Sequence, residues 1–329
     1  MGIVPAARLA LVFGCTVLAA APAYADADHH MHIQSQNAVA VWHAMCEAIP
    51  DDCDDETPVS INLSTGADAI RVLDEASLHK GVILSLAYFY GFPELAGSKF
   101  DSRDLVRAEN AYVARQVSYF PDRLTGFFSV NPLSDYAIEE ITYWLQHGGL
   151  IGLKLHLANS DLDLQNQAHV AKLRAVFDVM NEHERPVVIH LRNLNPEYGY
   201  DDANLFIDQV AKHAPKVTIQ LAHISGWGGY DDGTDGAIQA FMDAIDDGIL
   251  DRSQVWFDIA AVVDTEMPEE DDARLTARLR EIGLDRVLFA TDWDEVDPKS
   301  HIAELREFLS LSDDEWTQLM SNEAPYLHR

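Results

Sequence analysis

The sequence predicts an α/β protein, a single parallel (β/α)8 barrel of the TIM type, on two observations. Eight short apolar runs recur along the chain, and longer amphipathic stretches separate them. Runs rich in Val, Ile, Leu and Phe, nearly continuous in apolar character, are what strands buried on both faces require. A doubly wound open sheet is the competing arrangement, but no glycine-rich phosphate turn follows the first run. With 329 residues, 48% of them hydrophobic and 23% charged, the chain can bury one core of this size.

The first 25 residues are of another kind. Arg8 precedes an apolar run from Leu9 to Ala21 that is too short to span a bilayer, and Ala23-Tyr24-Ala25 completes an A-x-A cleavage pattern. We expect a signal peptide over 1–25 and one mature domain over 26–329, exported to the periplasm or secreted. No later segment is long and apolar enough for a membrane span, so no membrane association is expected after cleavage. The formal charge of −31 excludes nucleic acid and anionic lipid as natural partners. Cleavage removes Cys15 and leaves Cys46 and Cys53, an even pair expected to form a local disulfide in an oxidising compartment.

Taken in order, the strand candidates are 29–33, 82–89, 126–132, 150–157, 186–191, 217–224, 255–261 and 286–293. Helical periodicity appears over 102–120, 135–148, 166–184 and 203–214, often after a Ser, Asp or Asn cap, and two more helices over 299–310 and 312–321 would close the domain. No repeat and no low-complexity linker interrupts this alternation.

In a parallel barrel the reacting groups belong at the C-terminal ends of the strands. Polar residues stand there in number: His30 and His32 on the first strand, Lys154 and His156 on the fourth, His190 and Arg192 on the fifth, His223 on the sixth and Asp292 on the eighth. Side chains alternate with period two along a strand, so His30 shares a face with His32, and His29 turns away. Each feature alone is weak, since a strand-end histidine is commonly structural and an Asp after such a run is commonly a turn residue. Their coincidence at the strand ends of one barrel points to a metal site, with imidazoles and a carboxylate suiting an ion such as zinc.

At these residues the chain resembles the amidohydrolase superfamily, and within it the amidohydrolase-2 group. The pieces that carry the resemblance are "DHHMH", "GLKLH", "VVIH", "LAHISG" and "LFATDW", with a closing "LSDDEWTQLMSNEAPYL". The resemblance implies a distorted (β/α)8 barrel with a catalytic divalent metal, expected as one Zn2+. It implies His30, His32, His190 and Asp292 as ligands and His223 as a base or a water-orienting group, with Asp292 also able to take the proton. Lys154 stands where binuclear members carry a bridging carboxylated lysine, and His156 could ligate a second metal or line the pocket. Arg192 is a candidate for a substrate carboxylate, with a structural ion pair as the alternative. Trp227, amid glycines in "SGWGGYDDG", is a candidate lid residue over the substrate.

The leading expectation is a metal-dependent hydrolase that turns activated water on a C–N or C–O bond of a small amide, lactam, lactone or ester. The same resemblance includes non-oxidative decarboxylases of small acids. A reading from another class is a periplasmic metal-binding protein that uses its histidine-rich terminus. Homo-oligomerisation is left open.

Overall fold

The computed structural model describes residues 27–48, 62–263 and 267–328. The predicted signal peptide and Cys53 lie outside them. Cys46 is disulfide-bonded.

The eight predicted strands are present, each within its apolar run or overlapping it: β1 (Ala27–Met31), β2 (Lys80–Leu84), β3 (Leu124–Ser129), β4 (Gly152–His156), β5 (Val187–His190), β6 (Ile219–Leu221), β7 (Val255–Asp258) and β8 (Val287–Leu288). They form one parallel sheet in the order β1 to β8. Backbone contacts beyond the regular ladder close it: Asp292 N donates to His30 O at 2.8 Å, His29 N donates to Phe289 O at 3.0 Å, and Met31 bridges Trp293. The result is a nearly closed (β/α)8 barrel.

Ten α-helices are present among the described residues: α1 (Gln36–Ala48), α2 (Gly66–Ala76), α3 (Arg103–Ser118), α4 (Ala137–His147), α5 (Gln167–Glu182), α6 (Tyr200–Gln209), α7 (Asp232–Asp246), α8 (Glu269–Ile282), α9 (Pro298–Phe308) and α10 (Asp313–Ser321). Their starts follow the expected capping chemistry, in which a short polar side chain satisfies a free backbone N–H of the first turn. Asn166, Asp231 and Asp297 cap α5, α7 and α9, and Ser312 forms a capping box with Glu315 at α10.

Period-two alternation divides each strand's side chains between two cores. Outward residues such as Ile83, Phe128, Leu153, Leu155, Ile189, Leu221, Phe257 and Val287 pack under the helices. Val82, Leu84, Phe127, Val188, Trp256 and Leu288 form a separate interior cluster with Ala324 and Tyr326 of the C-terminal segment. The Tyr326 ring meets Phe127 edge-on with centroids 5.1 Å apart. Gly152 leaves room for Phe127, since a Cβ there would collide with that ring and with Pro186 O. The C-terminal segment therefore plugs the barrel floor and leaves the other end for polar residues.

The strands are shorter than the apolar runs, and the missing length is informative. β6 stops at Leu221, and the chain then turns through Ala222–Ser225 with His223, Ile224 and Ser225 at positive φ. β8 stops at Leu288, and Asp292 also has positive φ, at 67°. Such backbone costs of order 1–3 kcal/mol per residue and concentrates at sites whose side chains must be aimed.

Candidate metal centre

His30 and His32 are brought together by the twofold alternation of β1 and its extension. Their Nε2 atoms are 3.2 Å apart, and Asp292 Oδ1 lies 3.2 Å from the first and 3.0 Å from the second. These three residues form a group able to hold a metal ion, the one such group among the described residues.

Hydrogen bonds on the far side of each ring fix which nitrogen is free. His30 Nδ1 faces Asp258 Oδ2 at 3.2 Å, and His32 Nδ1 faces Leu84 O at 2.7 Å. Oxygen acceptors there require Nδ1–H, which leaves each Nε2 with an unprotonated lone pair pointed at the other. Two lone pairs 3.2 Å apart beside a carboxylate repel unless a cation lies between them. Donors each about 2.0–2.2 Å from a common ion would be spaced much like this. The donor set and the spacing therefore fit a borderline divalent ion.

His223 is prepared in the same way. Its Nδ1 faces Ala260 O at 2.8 Å, and its Nε2 lies 3.6 Å from Asp292 Oδ2. Asp258 joins the two histidines, since its Oδ1 accepts from His223 N at 2.9 Å while its Oδ2 holds His30. Gln220 Nε2 donates to the same Oδ2 at 2.7 Å, and Gln220 Oε1 accepts from Tyr326 OH. The floor plug is thus connected to a candidate metal ligand.

The electrostatics follow from burial and these contacts. Burial pushes the His30 imidazolium down to about 4, reinforced by Lys154, so the ring is neutral and able to ligate. Burial alone would raise the Asp292 carboxyl, but His30, His32 and His223 around it hold it well below the usual range. Asp258 is likewise held low by His30, His223 and Gln220 against the effect of burial. Lys154 is fully enclosed, with Nζ 3.2 Å from His30 Nε2, and burial pushes it down to about 8.

His190 lies beside the trio. Its ring is 3.9 Å from that of His156, its register partner on β4, and 5.1 Å from that of His223. Its Nε2 is buried with no hydrogen-bond partner, an orphaned donor to a ligand or ion. Burial pushes both His156 and His190 well below their ordinary range.

His30, His32, Lys154, His156, His190, His223 and Asp292 all open into one cavity of about 720 Å³. Trp227 lines it, 48% exposed, with its ring edge-on to His190 at 5.1 Å and to His156 at 6.0 Å. Of the two readings open to Arg192, the structure shows the ion pair and not a place in the cavity lining. β5 ends at His190, so strand alternation no longer governs Arg192, and its Nη1 instead pairs with Asp231 Oδ2 at 2.7 Å, away from the cavity lining. His29 turns to the other face as expected, between Phe289 O at 2.9 Å and Ala324 N at 3.2 Å.

Sequence reasoning missed part of the lining. Gln34, Asp294 and Glu295 come from irregular chain after β1 and β8, and Trp42, Phe89 and Phe92 from α1 and the β2–α3 connection. Asp258 had a legible signal, since a charged residue inside the apolar run "VWFDIAA" must be paired.

Comparison with known proteins agrees with this architecture. An amidohydrolase family profile matches residues 96–322. Among solved structures, 5-carboxyvanillate decarboxylase of Sphingomonas paucimobilis superposes with a TM-score of 0.63 at 15% identity, covering 91% of this chain and 97% of that one. A dihydroxybenzoic acid decarboxylase of Polaromonas sp. JS666, with bound manganese and the inhibitor 2-nitroresorcinol, gives 0.60 at 16% identity, covering 91% and 95%. A probable 2-pyrone-4,6-dicarboxylic acid hydrolase of Acinetobacter baumannii, with bound citric acid, gives 0.56 at 17% identity, covering 90% and 96%. No curated protein matches the chain by sequence.

Proposed function

The chain belongs to the amidohydrolase-2 family of metal-dependent enzymes, and from that premise we propose that it is an exported hydrolase cleaving a C–N or C–O bond of a small molecule. One observation carries the hydrolytic reading over decarboxylation. Glu94 and Asp161 line the cavity besides Asp292, together with Asp294, which burial pushes toward its neutral form, and Glu295, which burial and Asp292 push up to about 8, while Lys154 is the one lysine or arginine lining it among the described residues. A carboxylate substrate would enter against its own charge, and Arg192, the candidate to receive it, is committed to Asp231.

His30, His32 and Asp292 would hold the ion, with the unpartnered Nε2 of His190 as a further donor, and zinc suits this set. A divalent ion bound there supplies Lewis acidity, lowering the pKa of water and polarising the bond under attack. The chain's own residues do the rest. Asp292, ionised and 3.6 Å from His223 Nε2, can take the proton of the attacking water at its carboxylate. His223 Nε2, unprotonated while Nδ1 is bound to Ala260 O, can relay it to the leaving group. Asp258 orients the His30 imidazole and holds the His223 backbone, Ala260 O orients the His223 ring, and Trp227 covers the mouth against water.

The decarboxylase reading keeps one supporting observation, the cation Lys154 at the cavity floor, which could receive a carboxylate. Incubation of the metal-loaded protein with a panel of amides, lactones, esters and aromatic acids separates the two. Cleaved or ring-opened product without CO2 is expected, and CO2 release from an acid would overturn the hydrolytic reading. A metal-storage role would need neither the ordered His223 nor a covered cavity, and turnover of any panel member excludes it.

A further inference from the structure

The cavity carries a second chemical character away from His30, His32 and Asp292. Trp42 of α1 and Phe89 and Phe92 of the β2–α3 connection line it as one packed set. The Trp42 and Phe89 centroids are 4.8 Å apart, those of Phe89 and Phe92 5.1 Å, and those of Trp42 and Phe92 6.4 Å. Glu94 follows on the short turn Pro93–Leu95, is exposed, and lines the same space. Asp161 adds a carboxylate from the loop after β4, while Asp294 and Glu295 after β8 line the same space but are pushed by burial toward the neutral acid.

Ring faces and carboxylates select the same kind of group. The face of an aromatic ring is the negative end of its quadrupole and attracts a weakly hydrated cation, and a nearby carboxylate adds charge. His190, which lines the same cavity, offers its unpartnered Nε2 to the ion rather than to this group.

We propose that the cavity binds a substrate bearing an alkylated ammonium group, held by Trp42, Phe89 and Phe92 with Glu94, while its ester or amide bond extends toward His30, His32 and Asp292. This names the substrate class of the hydrolytic site and rests on that reading for the reaction, but not for the binding.

Choline and its uncharged isostere 3,3-dimethylbutan-1-ol have the same shape and no bond to hydrolyse. Titrated calorimetrically into the metal-loaded protein, choline is expected to bind about tenfold more tightly. Trp42→Leu should reduce that preference to about twofold or less, and so should Glu94→Gln, whose exposed position does not threaten folding. Equal affinity for the two compounds, or an undiminished preference in both variants, overturns the proposal. A preference for choline without cleavage of choline esters or amides leaves the cation site standing and overturns the hydrolytic reading alone.

Discussion

His30 Nδ1 lies 3.2 Å from Oδ2 of Asp258, a carboxylate 228 residues further along the chain that is fully buried and also fixes the backbone of His223. The pair is the carboxylate–imidazole arrangement that orients a metal-binding ring and raises its basicity.

Replacing Asp258 with Asn tests that relationship. An amide could donate to Nδ1, which would then surrender its proton to Nε2 and remove the lone pair offered to the ion. Metal affinity, measured by competition with a chromophoric chelator, should fall about 10–100-fold. Unchanged affinity would mean that Asp258 serves the fold alone.

His30→Ala and Asp292→Ala each remove one member of the trio whose donor atoms lie 3.0–3.2 Å apart. Elemental analysis of the purified variants should show most of the bound metal lost from each, with circular dichroism reporting an intact barrel. Full metal content in the Asp292 variant would sink the assignment of the centre to this end of the barrel.

The barrel itself was legible because strands buried on both faces must be nearly all apolar, and because period two alone separates His30 and His32 from His29. The site was legible wherever a polar residue closed such a run, as His156, His190 and Asp292 do. It was less legible where the chain leaves regular structure, although His223 and Asp292, both named, lie past the ends of β6 and β8. The two readings of Arg192, a substrate carboxylate or an ion pair, could not be separated by an alternation that ends two residues earlier, at His190. Asp294, Glu295 and Gln34 lie on chain without periodicity, and Trp42 sits on a helix where an aromatic ring ordinarily means packing. Those positions depend on loop paths, which no local pattern encodes.

Trp227 stands half-exposed over His190 and His156 and contributes no donor to the trio. Trp227→Ala should therefore raise KM several-fold, roughly 5- to 10-fold by the loss of one aromatic contact, and leave metal content unchanged. A loss of bound metal in this variant would contradict its placement as a cover.

Cleavage after Ala25 would leave a single residue, Asp26, ahead of β1, whose first residue Ala27 is already buried. A cut further along would remove paired strand residues. Intact mass and N-terminal sequencing of protein recovered from a periplasmic fraction should give Asp26 as the first residue. An uncleaved cytoplasmic product would refute the proposed export.

His301, on α9 and fully buried, provides a pH test away from the trio. Its Nε2 lies 3.0 Å from Ile259 O, and burial pushes its pKa from 6.5 down to about 4. The sign follows from proton counting. Between pH 6.5 and about 4 the unfolded chain protonates this ring and the folded chain does not, so acid favours unfolding. The stability it contributes is complete above 6.5 and is lost as pH falls. Gln at this position cannot titrate, so the difference in unfolding free energy between the wild type and His301→Gln isolates the effect. Other buried groups that titrate in this range act equally on both proteins and cancel. That difference should move against the wild type by roughly 2–3 kcal/mol between pH 7 and pH 4, read from urea unfolding of the metal-free proteins. A difference independent of pH would show that the ring takes up its proton as readily folded as unfolded, and so that water reaches it.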